Sequence, residues 1–167
     1  MNLAKTKIEG TNFVYGELLP LELFQQYGSR ATRFLPTQLI EFTQGIRDFF
    51  GKPMTVNNKV YGGKWNYRAV RYAGCNVGTP MGEHYRGMAI DFNIRGLTDL
   101  EVRQALVDNY KDLGVTIIED GHDGWVHAGY PTFYGNEKDL AVFDFKTNKL
   151  QFLNDWSASK YKVRGGM

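Results

Sequence analysis

From Met88 to Ile94 apolar and polar side chains alternate. That period of two predicts a strand with Ala89, Asp91 and Asn93 on one face and Met88, Ile90 and Phe92 on the other. Upstream, Leu39, Ile40, Phe42, Ile46, Phe49 and Phe50 recur at helical spacing. Pro36–Phe50 therefore reads as a helix, with Pro36 at its first position and Gly51 and Pro53 stopping it. Leu19–Tyr27 forms a shorter helix in the same reading, and Met54-Thr55-Val56 a strand. Thr98 and Glu101 spell a capping box, which opens a helix predicted to run to about Leu113 and stop at Gly114. The β-branched run Val115–Ile118 predicts a strand, Gly121-His122-Asp123-Gly124 a turn, and Trp125–Tyr130 the returning strand. Leu140–Phe145 and Leu150–Leu153, joined by Lys146-Thr147-Asn148, predict a final hairpin. The Gly-rich, polar stretch from Tyr61 to Gly82 reads as a long loop, and loops of that length are functional or disordered. Helices first, then a small, mostly antiparallel sheet with one inserted helix, argue for an α+β fold.

Composition narrows the partners. A chain of 167 residues fits one domain with its own core. A net charge of +2 is too mild for a nucleic-acid partner, and the basic stretch Lys160–Arg164 reads as a solvated tail. The single cysteine, Cys75, excludes an internal disulfide and a Cys-rich structural zinc site. No apolar stretch has signal-peptide form or approaches the ~20 residues needed to cross a bilayer. The expectation is a monomer without export signal, membrane anchor or nucleic-acid partner.

The chemistry concentrates in two places. His84 stands between Gly82 and Gly87, and Asp91 follows on the predicted strand. A carboxylate inside an apolar strand is costly to bury unless it is paired or bound to metal. His127 lies on another strand, just after Trp125. Two imidazoles and a carboxylate, with a fourth position left open, are how a catalytic zinc is held. Ni²⁺, Co²⁺ and Mn²⁺ suit the set less well. The bland alternative for each histidine is a satisfied core or surface residue. His122, in the turn, reads as surface.

The segment Gly82-Glu83-His84-Tyr85-Arg86-Gly87-Met88-Ala89-Ile90-Asp91-Phe92 resembles the Ser-x-His-x-x-Gly-x-Ala-x-Asp-Phe block of the zinc D-Ala-D-Ala carboxypeptidase family. That family includes D,D-dipeptidases and phage L-alanyl-D-glutamate endolysins and has a hedgehog-like fold. Trp125-Val126-His127 is similar to its second block, Trp-Val-His-x-Asp. Asn57-Asn58, Gly62-Gly63 and Arg68-Ala69-Val70-Arg71 match features of one branch. The likeness spans about Phe42 to Tyr130, and the chain departs from it at Gly82, Gly124 and Gly129.

The resemblance implies one Zn²⁺ held by His84, Asp91 and His127, and hydrolysis of an amide bond in peptidoglycan stem peptides. The bond is either D-Ala-D-Ala or L-Ala-D-Glu. The family's usual base, three residues before the last His, is replaced here by Gly124. Glu119 is then the first candidate base, Asp123 the second, with Asp120 beside them. A five-residue loop from Asp120 to Gly124 sets Glu119 opposite Trp125, on the sheet face of His127. Alternatively, these acids only solvate a turn. Arg71, with Arg68 in reserve, is implied as the anchor of a substrate carboxylate, or else both are loop-surface charges. Trp65, Tyr67 and Tyr85 are candidates for a peptide-binding wall. Such an enzyme is expected in a host cytoplasm before lysis or on a virion. The competing readings are a catalytically degenerate cell-wall-binding or virion structural module, and a metal-free scaffold.

Overall fold

Strand alternation splits the central sheet into two chemically different faces. In the computed structural model, which describes residues 2–79, 82–130 and 139–165, the elements follow in chain order. They are α1 (Tyr15–Leu18), α2 (Leu21–Tyr27), α3 (Thr37–Phe50), β1 (Met54–Thr55), β2 (Ala89–Ile94), α4 (Asp99–Asp108), β3 (Ile117–Asp120), β4 (Val126–Gly129), β5 (Leu140–Asp144), β6 (Lys149–Leu153) and α5 (Asp155–Ala158). The six strands form one sheet in the order β1-β2-β4-β3-β5-β6. All neighbouring pairs are antiparallel except β3 and β5, which run parallel. The fold is α+β, and its sheet is mixed.

One face builds the core. Ile90, Phe92, Val126, Ala128, Ile118, Leu140 and Val142 alternate inward and join Leu39, Phe42 and Ile46 of α3 and Val102, Leu106 and Val107 of α4. Asp91, His127 and Glu119 occupy the intervening positions and so lie on the opposite face. The N-terminal third adds Phe13, Leu18, Leu19 and Leu23 to the same core.

Several boundaries differ from expectation. Pro36 stands one residue before α3, as its N-cap. The α4 helix keeps its capping box at Thr98 and Glu101 but ends at Asp108, short of Leu113. The Asn109 amide donates to Ala105 O at 2.9 Å, taking a carbonyl that a further helical turn needs. Turns then carry the chain to Gly114, whose φ of +64° reverses it. The loop after Tyr61 is stitched down: Asn57 Oδ1 accepts from Arg68 N–H, Asn58 Oδ1 from Trp65 N–H, and Arg68 O from Asp91 N–H. A Cβ on Gly63 would lie 2.2 Å from the Asn58 side chain, so this turn requires glycine there.

The basic C-terminal stretch is bound, not solvated throughout. Arg164 pairs with Asp144 at 2.7 Å, and Asp120 accepts from Arg164 N–H, Gly121 N–H and Tyr161 OH. Asp120 is fully buried, so removing its carboxylate orphans these donors. Asp120→Ala is expected to lower stability by about 2–3 kcal/mol. Urea unfolding checks this, and a midpoint equal to wild type would show that the clamp contributes nothing.

Candidate metal centre

Three separate segments meet at Asp91. The register of β2 against β4 pairs Asp91 directly with His127. His84 comes from a 3-10 turn, Glu83–Arg86, which Gly87 closes with a φ of +65°. His84 Nε2 lies 3.1 Å from Asp91 Oδ1, and His127 Nδ1 lies 2.8 Å from the same oxygen. Arg71 Nη2 donates to Asp91 Oδ2 at 3.1 Å. His84, Asp91 and His127 are all buried.

The donor set fits a divalent cation. One ligand atom from each residue lies within 4.8 Å of the others. Zinc bonds near 2.0–2.1 Å put neighbouring ligand atoms about 3.3 Å apart, close to the contacts at Asp91. His84 Nδ1 is 2.8 Å from Ala69 O; a ligating imidazole commonly gives its other N–H to such a carbonyl. Arg71 takes the second oxygen of Asp91 and so orients the carboxylate.

The electrostatics bind the cluster together. Burial pushes the Asp91 carboxyl up, but the neighbouring His84 charge and hydrogen bonds from both histidines hold it well below the usual carboxylate range. Burial pushes His127 down, yet the Glu119 charge and the Asp91 hydrogen bond outweigh it and raise His127 to about 9. A cation entering the cluster competes with that proton.

Glu119 joins the site from β3. The β3–β4 ladder pairs Ile117 with Gly129 and Ile118 with Ala128 and ends there; Glu119 is the next residue of β3 and is close enough to His127 for their charges to interact. The expected pairing with Trp125 does not form, because the β3–β4 ladder ends at Ile118 and Ala128 and leaves Glu119 to His127 beyond its last pair. The shared face is the same, since opposite positions alternate together. Burial raises the Glu119 carboxyl, but the His127 charge and a contact from His122 bring it below its usual value. Glu119 is thus a carboxylate at neutral pH.

The other acids stand apart from the cluster. Asp120 points to the opposite face and is fully engaged by the C-terminal stretch. Asp123 is exposed in the turn. Arg68 is not a free cation: its guanidinium lies 3.7 Å above the Trp65 ring and donates to Asn93 Oδ1 at 2.7 Å. Arg71 is the better-placed of the two arginines, with 15% side-chain exposure and contact with a candidate ligand. Trp65 supports Arg68, and Tyr85 OH donates to Cys75 O at 3.0 Å.

His122 departs from the surface reading. Its side chain is only 12% exposed, and Nε2 lies 3.6 Å from Glu119 Oε2. Arg103 reaches it from α4. The available signal was a charged residue among Val102, Leu106 and Val107, on the apolar stripe of a predicted helix. A concavity of about 590 Å³ lined by Asp108, Lys111, Asp155 and Lys162 shares no residue with the cluster.

Comparison with protein-family models, curated proteins and solved structures gives no match. The buried cluster of His84, Asp91 and His127 is close enough to bind a metal ion. No helix among the described residues is long and apolar enough to cross a membrane.

His84→Ala, Asp91→Ala and His127→Ala are each expected to abolish stoichiometric zinc uptake, because three ligands leave no redundancy. Equilibrium dialysis with metal analysis reads this, and full occupancy in the Asp91 variant would place the ion elsewhere. Zinc should also raise the unfolding temperature of the wild type only: at 100 times Kd it adds about 2.7 kcal/mol.

Proposed function

We propose that the protein is a zinc-dependent peptidase that hydrolyses an amide bond in peptidoglycan stem peptides. One observation carries the reading: His127 has Asp91 opposite it on β2, and Glu119, the residue of β3 just past the β3–β4 ladder, lies close enough for its charge to act on His127. A ligand set and a carboxylate base need that proximity. Bound zinc supplies Lewis-acid polarisation of the scissile carbonyl and a water of lowered pKa. Glu119 accepts the water proton and returns it to the leaving amine. Arg71 holds Asp91 in place, and its planar guanidinium, in contact with the cluster, is the proposed anchor of a substrate carboxylate. The peptidoglycan substrate rests on the resemblance of Gly82–Phe92 and Trp125–His127 to the zinc D-Ala-D-Ala carboxypeptidase family.

At two of the three departures from that family's pattern the local backbone suits glycine. A Cβ at Gly129 would lie 2.7 Å from Ile117 Cγ2 and 3.1 Å from Met88 O. Gly124 has a φ of +104°, which a glutamate there would strain. Among the described residues a Cβ at Gly82 meets only Thr79, at 3.3 Å, which gives no stronger reason for its glycine.

Zinc-loaded protein incubated with peptidoglycan is expected to release either free D-Ala or peptides cut after L-Ala, as read by mass spectrometry. Stoichiometric zinc with no cleavage of any muropeptide would sink the reading and favour a cell-wall-binding module. Glu119→Gln should retain zinc while turnover falls by roughly 10²–10⁴-fold, the contribution of a positioned base. Unchanged turnover would move the role to Asp123.

A further inference from the structure

We propose that His122 is a positioning residue for Glu119, with its tautomer set by Arg103; the proposal rests on the peptidase reading above. Arg103 is fully buried on the apolar stripe of α4. Its Nη2 donates to Trp125 O at 2.8 Å and lies 3.3 Å from His122 Nδ1. Its Nε and Nη1 have no hydrogen-bond partner among the described residues. A half-satisfied buried guanidinium is a costly occupant of a helix stripe. Leucine or methionine there would serve the core alone. Departures of this kind concentrate where function constrains the chain.

The chemistry of the guanidinium decides what His122 does. Arginine carries donors only. The contact with His122 Nδ1 is therefore a hydrogen bond only if Nδ1 accepts, which leaves the ring hydrogen on Nε2. Trp125 at 4.6 Å and Phe145 at 4.8 Å between centroids hold the ring from turning. Nε2 is buried without a hydrogen-bond partner among the described residues and lies 3.6 Å from Glu119 Oε2. That is just beyond hydrogen-bond length, the looseness common in catalytic contacts before substrate tightens them. Nε2–H is thus aimed at one oxygen of the base and leaves the other for the water proton. Three groups in series, Arg103, His122 and Glu119, connect the helix layer to the reacting face of the sheet.

The test uses zinc-loaded full-length protein with peptidoglycan as substrate. His122→Phe keeps a ring between Trp125 and Phe145 and removes the donor. It is expected to retain one zinc and to lower kcat by about 10–100-fold with KM unchanged, the usual cost of losing an outer-shell partner. His122→Gln, which restores an N–H, should recover part of the loss. In a Glu119→Gln background His122→Phe should cost nothing further, because the two act through one group. An equal loss in both backgrounds would mark a structural role and overturn the proposal. Nitrogen-15 spectra of the imidazole provide a readout independent of turnover. The expected signature is hydrogen on Nε2, lost in Arg103→Met and shifted in Glu119→Gln. Hydrogen on Nδ1, or an Nε2–H signal indifferent to Glu119→Gln, overturns the arrangement. If the wild type cleaves nothing, the peptidase reading fails by itself, and the same spectra still decide the arrangement.

Discussion

The buried charge of Asp91 constrains everything around it. A carboxylate taken out of water costs several kcal/mol unless partners compensate. Asp91 sits mid-strand in β2 with 7% of its surface exposed. Its oxygens contact His84 Nε2, His127 Nδ1 and Arg71 Nη2, and each of these comes from a different segment. The backbone is tied to the same point: Asp91 N–H donates to Arg68 O, and Arg71 N–H to His84 O. Neutralising one charge thus forces a turn, a strand and a long loop to converge. The same convergence holds two imidazoles and a carboxylate at ligand spacing, so the cost of ordering a cation site is met when the chain folds.

The pleat of the sheet keeps this polar cluster from disturbing the core. Odd-numbered positions of β2, β3 and β4 carry the polar chemistry: Asp91, Glu119 and His127. Even-numbered neighbours Ile90, Phe92, Ile118, Val126 and Ala128 pack beneath α3 and α4. A one-residue slip of any of these strands would exchange the two sets, burying charge in the core and exposing the apolar row. The hydrophobic core therefore fixes the register, and the register fixes the site.

Local patterns made part of this legible in the sequence. Alternation through Met88–Ile94 gave the strand and its faces, and the capping box gave the start of α4. His84, Asp91 and His127 stood out as polar groups in apolar or glycine-flanked settings. Long-range geometry was less accessible. The neighbour of Glu119 depended on where the β3–β4 ladder ends, which sequence does not specify, so the expected pairing with Trp125 did not form. The parallel pairing of β3 with β5 and the docking of Tyr161–Arg164 on Asp120 join residues distant in the chain, with no periodic trace. The end of α4 hinged on one amide, Asn109, competing for a carbonyl. His122 was hidden because a histidine in a turn looks exposed until the chain folds over it.

The position of the proposed base follows from how the β3–β4 connection is held. Gly124 N–H donates to Asp99 Oδ2 at 2.7 Å, and Gly124 O accepts from Asn93 Nδ2 at 3.1 Å. The turn is thereby pinned to the N-terminus of α4 on one side and to β2 on the other. The Gly124 φ of +104° suits glycine and disfavours any side chain that could act as a base from there. An acid near His127 must come from elsewhere, and the position on the adjacent strand just past its last pair with β4 is the shortest alternative. Glu119 occupies it. A base on a paired strand is held by ladder hydrogen bonds, whereas one on a turn depends on the turn alone. The pinned turn instead carries Trp125 O and the His122 ring to Arg103, fixing from behind the group that faces Glu119.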